Sequence, residues 1–147
     1  MRKKIAIASD HGGVDLKDFL KNETFSIDIE WIDLGTNSSE SVDYPDFGYK
    51  LADFVATDQA EYGIAICGSG IGISIACNRN EDIRAAVCTD STMARLTRID
   101  NDANVLCLGA RIIGEVIAKD IVETFITTEF EAGGRHERRM KKLKQSH

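Results

Sequence analysis

The sequence predicts an α/β protein, a Rossmann-like three-layer α/β/α sandwich with a five-stranded parallel sheet and a C-terminal helix. Three observations point there. Five short apolar runs rich in β-branched residues alternate with longer stretches of helical spacing, the rhythm of strands joined by crossover helices. Glycines and small polar residues collect just after those runs, where ligands bind in such sheets. With 147 residues, 43% of them apolar, the chain has the size of one domain and needs neither disulfides nor a structural metal for its core.

The elements follow in order. Ile5–Ala8 reads as the first strand, Ile27–Ile32 as the second, Tyr62–Cys67 as the third, Ile83–Cys88 as the fourth and Asn104–Leu108 as the fifth. Apolar residues recur at helical spacing through Val14–Lys21, Phe47–Val55, Gly72–Asn78, Met93–Ile99 and Glu115–Ile126. A polar helix at about 134–145 is expected after the Gly133-Gly134 break. The right-handed crossover rule leaves few topologies for this order. No linker, repeat or low-complexity segment interrupts it, so residues 1–147 read as one domain.

Composition excludes several classes of function. No apolar run approaches the ~20 residues of a membrane span, and no basic-then-apolar signal segment opens the chain. The four cysteines, at 67, 77, 88 and 107, form no CxxC pair, and the three histidines form no HExxH or HxxxH pair, so no protein-ligated metal is expected. The expected location is the reducing cytoplasm, with Cys77, Cys88 and Cys107 as small core residues. The net charge of −6 is uneven: Arg135–His147 carries +5 and the remainder −11. Such a tail reads as a solvated end or a nucleic-acid arm.

Chemistry gathers in Cys67-Gly68-Ser69-Gly70-Ile71-Gly72, which leaves a strand and opens a helix. Glycines let backbone N–H groups turn toward an anion and remove the Cβ atoms that would block it. The dinucleotide fingerprint fails at Ile73, no Walker lysine follows, and the arginine of a phosphatase loop is absent. What remains is an anion cradle with a cysteine at its entrance. Cys67 is either strand-end packing or a thiolate acting as nucleophile or general base, and spacing alone does not decide. Arg135 and Arg139 are spaced i, i+4 and share a helix face, as a solvated pair or as a paired anion site.

Several segments together resemble the type B ribose-5-phosphate isomerases, a family that includes the galactose-6-phosphate isomerase subunits. They are Ser9-Asp10-His11-Gly12-Gly13, Asp43-Tyr44-Pro45, the run from Ile66 to Ser74, the run from Asn101 to Leu106, Gly109-Ala110-Arg111 and Gly133-Gly134-Arg135-His136. The match is colinear over nearly the whole chain. It implies one sugar-phosphate isomerase domain, free of metal and cofactor. It also implies a homodimer with active sites built across its interface, a tetramer remaining open, and no nucleic-acid or membrane partner. By resemblance Cys67 is the base that carries a proton between C1 and C2 through a cis-enediolate. The glutamate that serves as base in another branch of the family falls on Ile71, which cannot accept a proton. Gly68, Ser69, Gly70, Ile71 and Gly72 would hold the enediolate oxygens, where losing one donor typically costs about 2.7–4 kcal/mol. Asp10 would meet sugar hydroxyls or aid ring opening, Tyr44 would line the pocket, and Asn101 would reach the reacting end from the partner. Arg135, Arg139, His11 and Arg111 would surround the phosphate, with the C-terminal helix serving both phosphate and dimer.

One position departs from the family. Asp100 stands where the family usually has the histidine credited with opening the cyclic sugar. An ordinary aspartate, with pKa about 3.9, accepts a proton at neutral pH but is a poor donor. Either Asp100 or Asp10 manages ring opening of ribose 5-phosphate, or the substrate is one such as a tetrose 4-phosphate that cannot close a furanose. The sequence is also compatible with allose or galactose 6-phosphate as substrate, and with a non-catalytic sugar-phosphate sensor.

Overall fold

The computed structural model describes residues 2–144. The elements are β1 (Arg2–Ser9), a short 3₁₀ turn (His11–Gly13), α1 (Val14–Asn22), β2 (Asp28–Asp33), α2 (Tyr44–Ala56) and β3 (Tyr62–Cys67). Then follow α3 (Ile71–Cys77), β4 (Ala85–Val87), α4 (Ser91–Asn101), β5 (Val105–Gly109), α5 (Glu115–Thr127) and α6 (Arg135–Leu143). The strands form one parallel sheet in the order β2-β1-β3-β5-β4.

The central strands read as unbroken apolar runs because both their faces are covered. Ile5, Ile7, Ile64, Leu106 and Leu108 pack on one face with Leu20 of α1, Ala94 of α4 and Phe125 of α5. Ala6, Ala8, Ala65, Cys67 and Cys107 pack on the other with Leu51 of α2 and Ile73 of α3. The expected three-layer sandwich is the observed one.

Boundaries shift for local reasons. Helix α2 begins at Tyr44, ahead of the expected Phe47, because Pro45 suits the first helical turn, where no N–H is needed. The fourth strand shrinks from Ile83–Cys88 to Ala85–Val87. The Ile83 N–H is drawn into a turn with the Asn80 carbonyl, and the Arg84 N–H donates to Asn104 Oδ1. Asp90 caps α4 by accepting from the Met93 N–H at 2.8 Å. Helix α6 spans Arg135–Leu143; the expected last residue of that helix, Gln145, lies outside the described residues.

Candidate active site

The turn between β3 and α3 depends on glycine. Gly70 has φ +78°, in the left-handed region, and a Cβ there would lie 2.9 Å from the Leu108 carbonyl carbon. The turn curls over the end of β3, so the Gly70 N–H donates to Cys67 Sγ at 3.2 Å. The Ile71 N–H donates to Ser69 Oγ at 3.1 Å. Two of the amides expected to face an anion are therefore engaged by the loop's own side chains. The N–H groups of Gly68, Ser69 and Gly72 carry no hydrogen bond among the described residues and remain open to a ligand. Cys67 is 5% exposed, whereas Ile71 projects outward at 57%.

Neighbouring strand ends close around this loop. The Tyr44 ring lies over Gly72, where a Cβ would come within 2.7 Å of it. Arg111 lies over Gly68, with its Nε 3.6 Å from the place a Cβ would take, and its N–H donates to the Gly68 carbonyl at 2.9 Å. Asp10 caps the turn after β1, accepting from the Gly12 N–H at 2.9 Å, and Gly12 in turn approaches the Gly68 amide. His11 Nδ1 accepts from the Val42 N–H at 3.1 Å, which leaves Nε2 as the nitrogen available for a ligand. Ser9 exchanges backbone hydrogen bonds with Gly35 and Thr36. The carboxyl ends of the strands thus carry Asp10, His11, Tyr44, Cys67, Gly68, Ser69, Gly70, Ile71, Gly72 and Arg111 on one rim.

The remaining predicted residues stand at the other end of the sheet. Helix α4 runs back from the carboxyl edge, so its last residues, Asp100 and Asn101, reach the amino edge. There the Asn101 carbonyl accepts from Arg84 Nε at 2.8 Å, just ahead of β4. The length of β5, about 13 Å, separates that edge from Cys67. Helix α6 packs on α4. Asp100, Asn101, His136, Arg139, Met140 and Leu143 line a cleft of about 300 Å³. His136 Nε2 lies 3.4 Å from Asp100 Oδ1. Arg135 and Arg139 are exposed, one helical turn apart on α6. Within one chain, then, His11 and Arg111 are not brought to Arg135 and Arg139.

Sequence reasoning missed the device behind the rim. Lys17 is fully buried, and its Nζ donates to both Asp33 oxygens, at 2.7 and 2.9 Å, and to Asn37 Oδ1. Lys21 and the Gly35 N–H also donate to Asp33. Burial works to raise the Asp33 carboxyl, but these donors outweigh it and hold it below the ordinary carboxylate value. The network ties α1 to the loop after β2 that supports Ser9. A signal was present: Gly13, Leu16, Lys17 and Leu20 fall at core spacing, which puts a lysine where an apolar residue belongs.

Cys77, Cys88 and Cys107 are buried free cysteines. Burial, and secondarily Asp90, pushes the Cys88 thiol up to about 12. The hydrogen bond with Cys77, followed by burial, raises Cys107. Among the described residues no group of three or more His, Cys, Asp or Glu could hold a metal ion, and no helix is long and apolar enough to cross a membrane.

The fold and the rim define an α/β protein with a cysteine, a glycine loop and polar side chains gathered at the carboxyl edge of a parallel sheet. Residues 5–143 match the family described as Ribose/Galactose Isomerase. The structure of ribose-5-phosphate isomerase B from Clostridium thermocellum is 52% identical, with TM-score 0.87 over 96% of this chain and 95% of that one. A ribose 5-phosphate isomerase from Thermotoga maritima is 49% identical, with TM-score 0.90 over 97% of each chain. Ribose-5-phosphate isomerase B of Escherichia coli (strain K12) is 43% identical over 141 residues, 96% of this chain and 94% of that protein. The chain belongs to the ribose/galactose isomerase family and is an aldose–ketose isomerase.

Proposed function

We propose that the chain interconverts ribose 5-phosphate and ribulose 5-phosphate through a cis-enediolate, with Cys67 as the base. The observation that carries this reading is the Cys67 sulfur at the end of β3, 3.2 Å from the Gly70 N–H and beside three open loop amides. The thiolate takes the C2 proton of the open-chain aldose. The electrons of that bond form C1=C2, and O1 gains the charge. The proton returns to C1 while the O2 hydroxyl proton passes to O1, leaving the ketose. Charge develops on O1 and O2 within reach of fixed donors, the Gly68, Ser69 and Gly72 amides and the Ser69 hydroxyl, which need no reorganisation as it forms. Asp10 binds sugar hydroxyls and Tyr44 lines the pocket. His11 Nε2 and Arg111 bind the phosphate from this side.

The two halves of the site meet across a homodimer. Ile71 and Ile75 on α3 and Met93 and Leu96 on α4 are exposed apolar residues on the helices flanking the short edge strand β4. Apolar faces of this kind favour association. In a two-fold pairing, Asn101, Arg135 and Arg139 of one protomer complete the Cys67 rim of the other, and the arginines clamp the phosphate with paired donors. Four free cysteines suit the reducing cytoplasm.

Ribose 5-phosphate incubated with the enzyme in D₂O and followed by NMR tests the reading. The aldose should convert to ribulose 5-phosphate with C2 exchange, and Cys67→Ala should lower the rate by about 10²–10⁴-fold. Undiminished turnover in that variant would remove Cys67 from the chemistry. Turnover of a tetrose 4-phosphate without turnover of ribose 5-phosphate would reassign the substrate. No exchange with any aldose phosphate would leave a sugar-phosphate-binding protein.

A further inference from the structure

We infer that His136 opens the sugar ring and that Asp100 positions it for that step, an inference that rests on the composite isomerase site proposed above. Ribose 5-phosphate closes into a furanose through O4, and only the open aldehyde can lose its C2 proton. Opening removes the O1 proton, turns that electron pair into C1=O1, breaks C1–O4 and protonates O4. A single imidazole can take the proton at O1 and deliver it at O4, with no other reactant. The step asks for a group that both takes and returns a proton, which suits an imidazole better than a carboxylate.

The structure supplies the imidazole one side chain away. His136 is on the first turn of α6, its side chain only 14% exposed, with Nε2 3.4 Å from Asp100 Oδ1. No hydrogen bond engages Nδ1 among the described residues. A carboxylate on one ring nitrogen fixes the ring's orientation and stabilises the imidazolium formed in mid-transfer, leaving the other nitrogen for substrate, as in a Ser-His-Asp triad. The groups that share this cleft are consistent with the role. Asp100 faces His136 from α4, and Arg139 lines the same cleft from α6. Glu137 turns away, accepting from the Gly133 N–H at 3.1 Å. Asn101 and Arg139, assigned above to the reacting end and the phosphate, place that cleft where a bound sugar would lie.

A substrate that never cyclises separates this step from enolisation. Ribulose 5-phosphate has O5 esterified and stays open, so exchange of its C1 protons with solvent needs the Cys67 step alone. In the intact enzyme, His136→Asn should lower kcat for ribose 5-phosphate by about 10²-fold while C1 exchange of ribulose 5-phosphate is unchanged. Asp100→Asn should lower the same kcat by a smaller factor with KM unaltered, again sparing exchange. Adding Asp100→His to His136→Asn should restore part of the lost turnover by returning an imidazole to the cleft. Equal loss of both reactions in His136→Asn would mark a structural role and overturn the inference, as would undiminished ribose 5-phosphate turnover. Failure of the wild-type enzyme to exchange the C1 protons at all would instead overturn the isomerase reading beneath it.

Discussion

The carboxyl-edge rim and the α4–α6 cleft are made of different materials. The rim is largely backbone: loop amides held by left-handed Gly70, by close contacts at Gly72 and Gly109, and by a cysteine that belongs to the hydrophobic core. The cleft is made of side chains: His136 and Arg139 project from a helix with no buried residue, packed on the last turn of α4. Charge developing on two oxygens requires donors fixed before the reaction, and backbone tied into a core supplies them. Binding a phosphate needs only cations within reach. The rim should therefore be inseparable from folding, and the cleft should be separable from it.

Lys17→Met breaks the comparison hardest, because it attacks the rim's support without touching substrate. It removes the buried partner of the Asp33 carboxylate, leaving Lys21 as its ion-pair partner among the described residues, and should cost about 3 kcal/mol of stability by urea denaturation at pH 7. The pH dependence follows from the depressed Asp33 value. A depressed carboxylate contributes stability that is present above its ordinary value of about 4 and is lost as pH falls through its folded one. The deficit of Lys17→Met should therefore shrink as pH falls below about 4. A deficit that holds constant down to pH 2 would mean that packing of the lysine stem, not the ion pair, sets the effect.

Gly109→Ala is the next largest. The new Cβ would meet the Ser69 carbonyl carbon and oxygen at 2.6 Å, and backbone cannot swing aside as a side chain can. Stability should fall by about 1–3 kcal/mol, and kcat should fall with it because the displaced atoms belong to the loop that holds Cys67. A variant that loses stability but keeps full kcat would show that the loop tolerates displacement, and the backbone account of the rim would fail.

The sequence made these two regions unequally legible. The rim could be read because strand period, strand-end glycines and the absence of rival phosphate-loop residues all converge on Cys67-Gly68-Ser69-Gly70-Ile71-Gly72. Which amides stay free could not, since capture of the Ile71 amide by Ser69 and of the Gly70 amide by Cys67 depends on loop geometry. The i, i+4 spacing put Arg135 and Arg139 on one helix face, but no periodicity states against which element that face lies. That α4 carries Asp100 to the amino edge, and that His136 meets it there, are facts of crossover direction and of a contact 36 residues apart. Lys17 was hidden for the opposite reason: buried charge runs against the pattern that makes cores legible.

The smallest effect tests the other side of the comparison. Arg139 is exposed on α6 and is assigned the substrate phosphate, so Arg139→Gln removes a charge-assisted contact made equally in ground and transition states. Loss of such uniform binding raises KM and spares kcat. KM for ribose 5-phosphate should rise about tenfold, equivalent to about 1.4 kcal/mol, while stability stays within about 0.5 kcal/mol of wild type. The same assignment bears on the +5 tail: added salt should raise KM only modestly, and single-stranded or duplex nucleic acid should show no steeply salt-dependent binding. A fall in stability would tie α6 into the fold as firmly as the rim. A fall in kcat at unchanged KM would move Arg139 from the phosphate to the reacting end, and the division between a rim that holds the enediolate and a cleft that binds the phosphate and opens the ring would have to be redrawn.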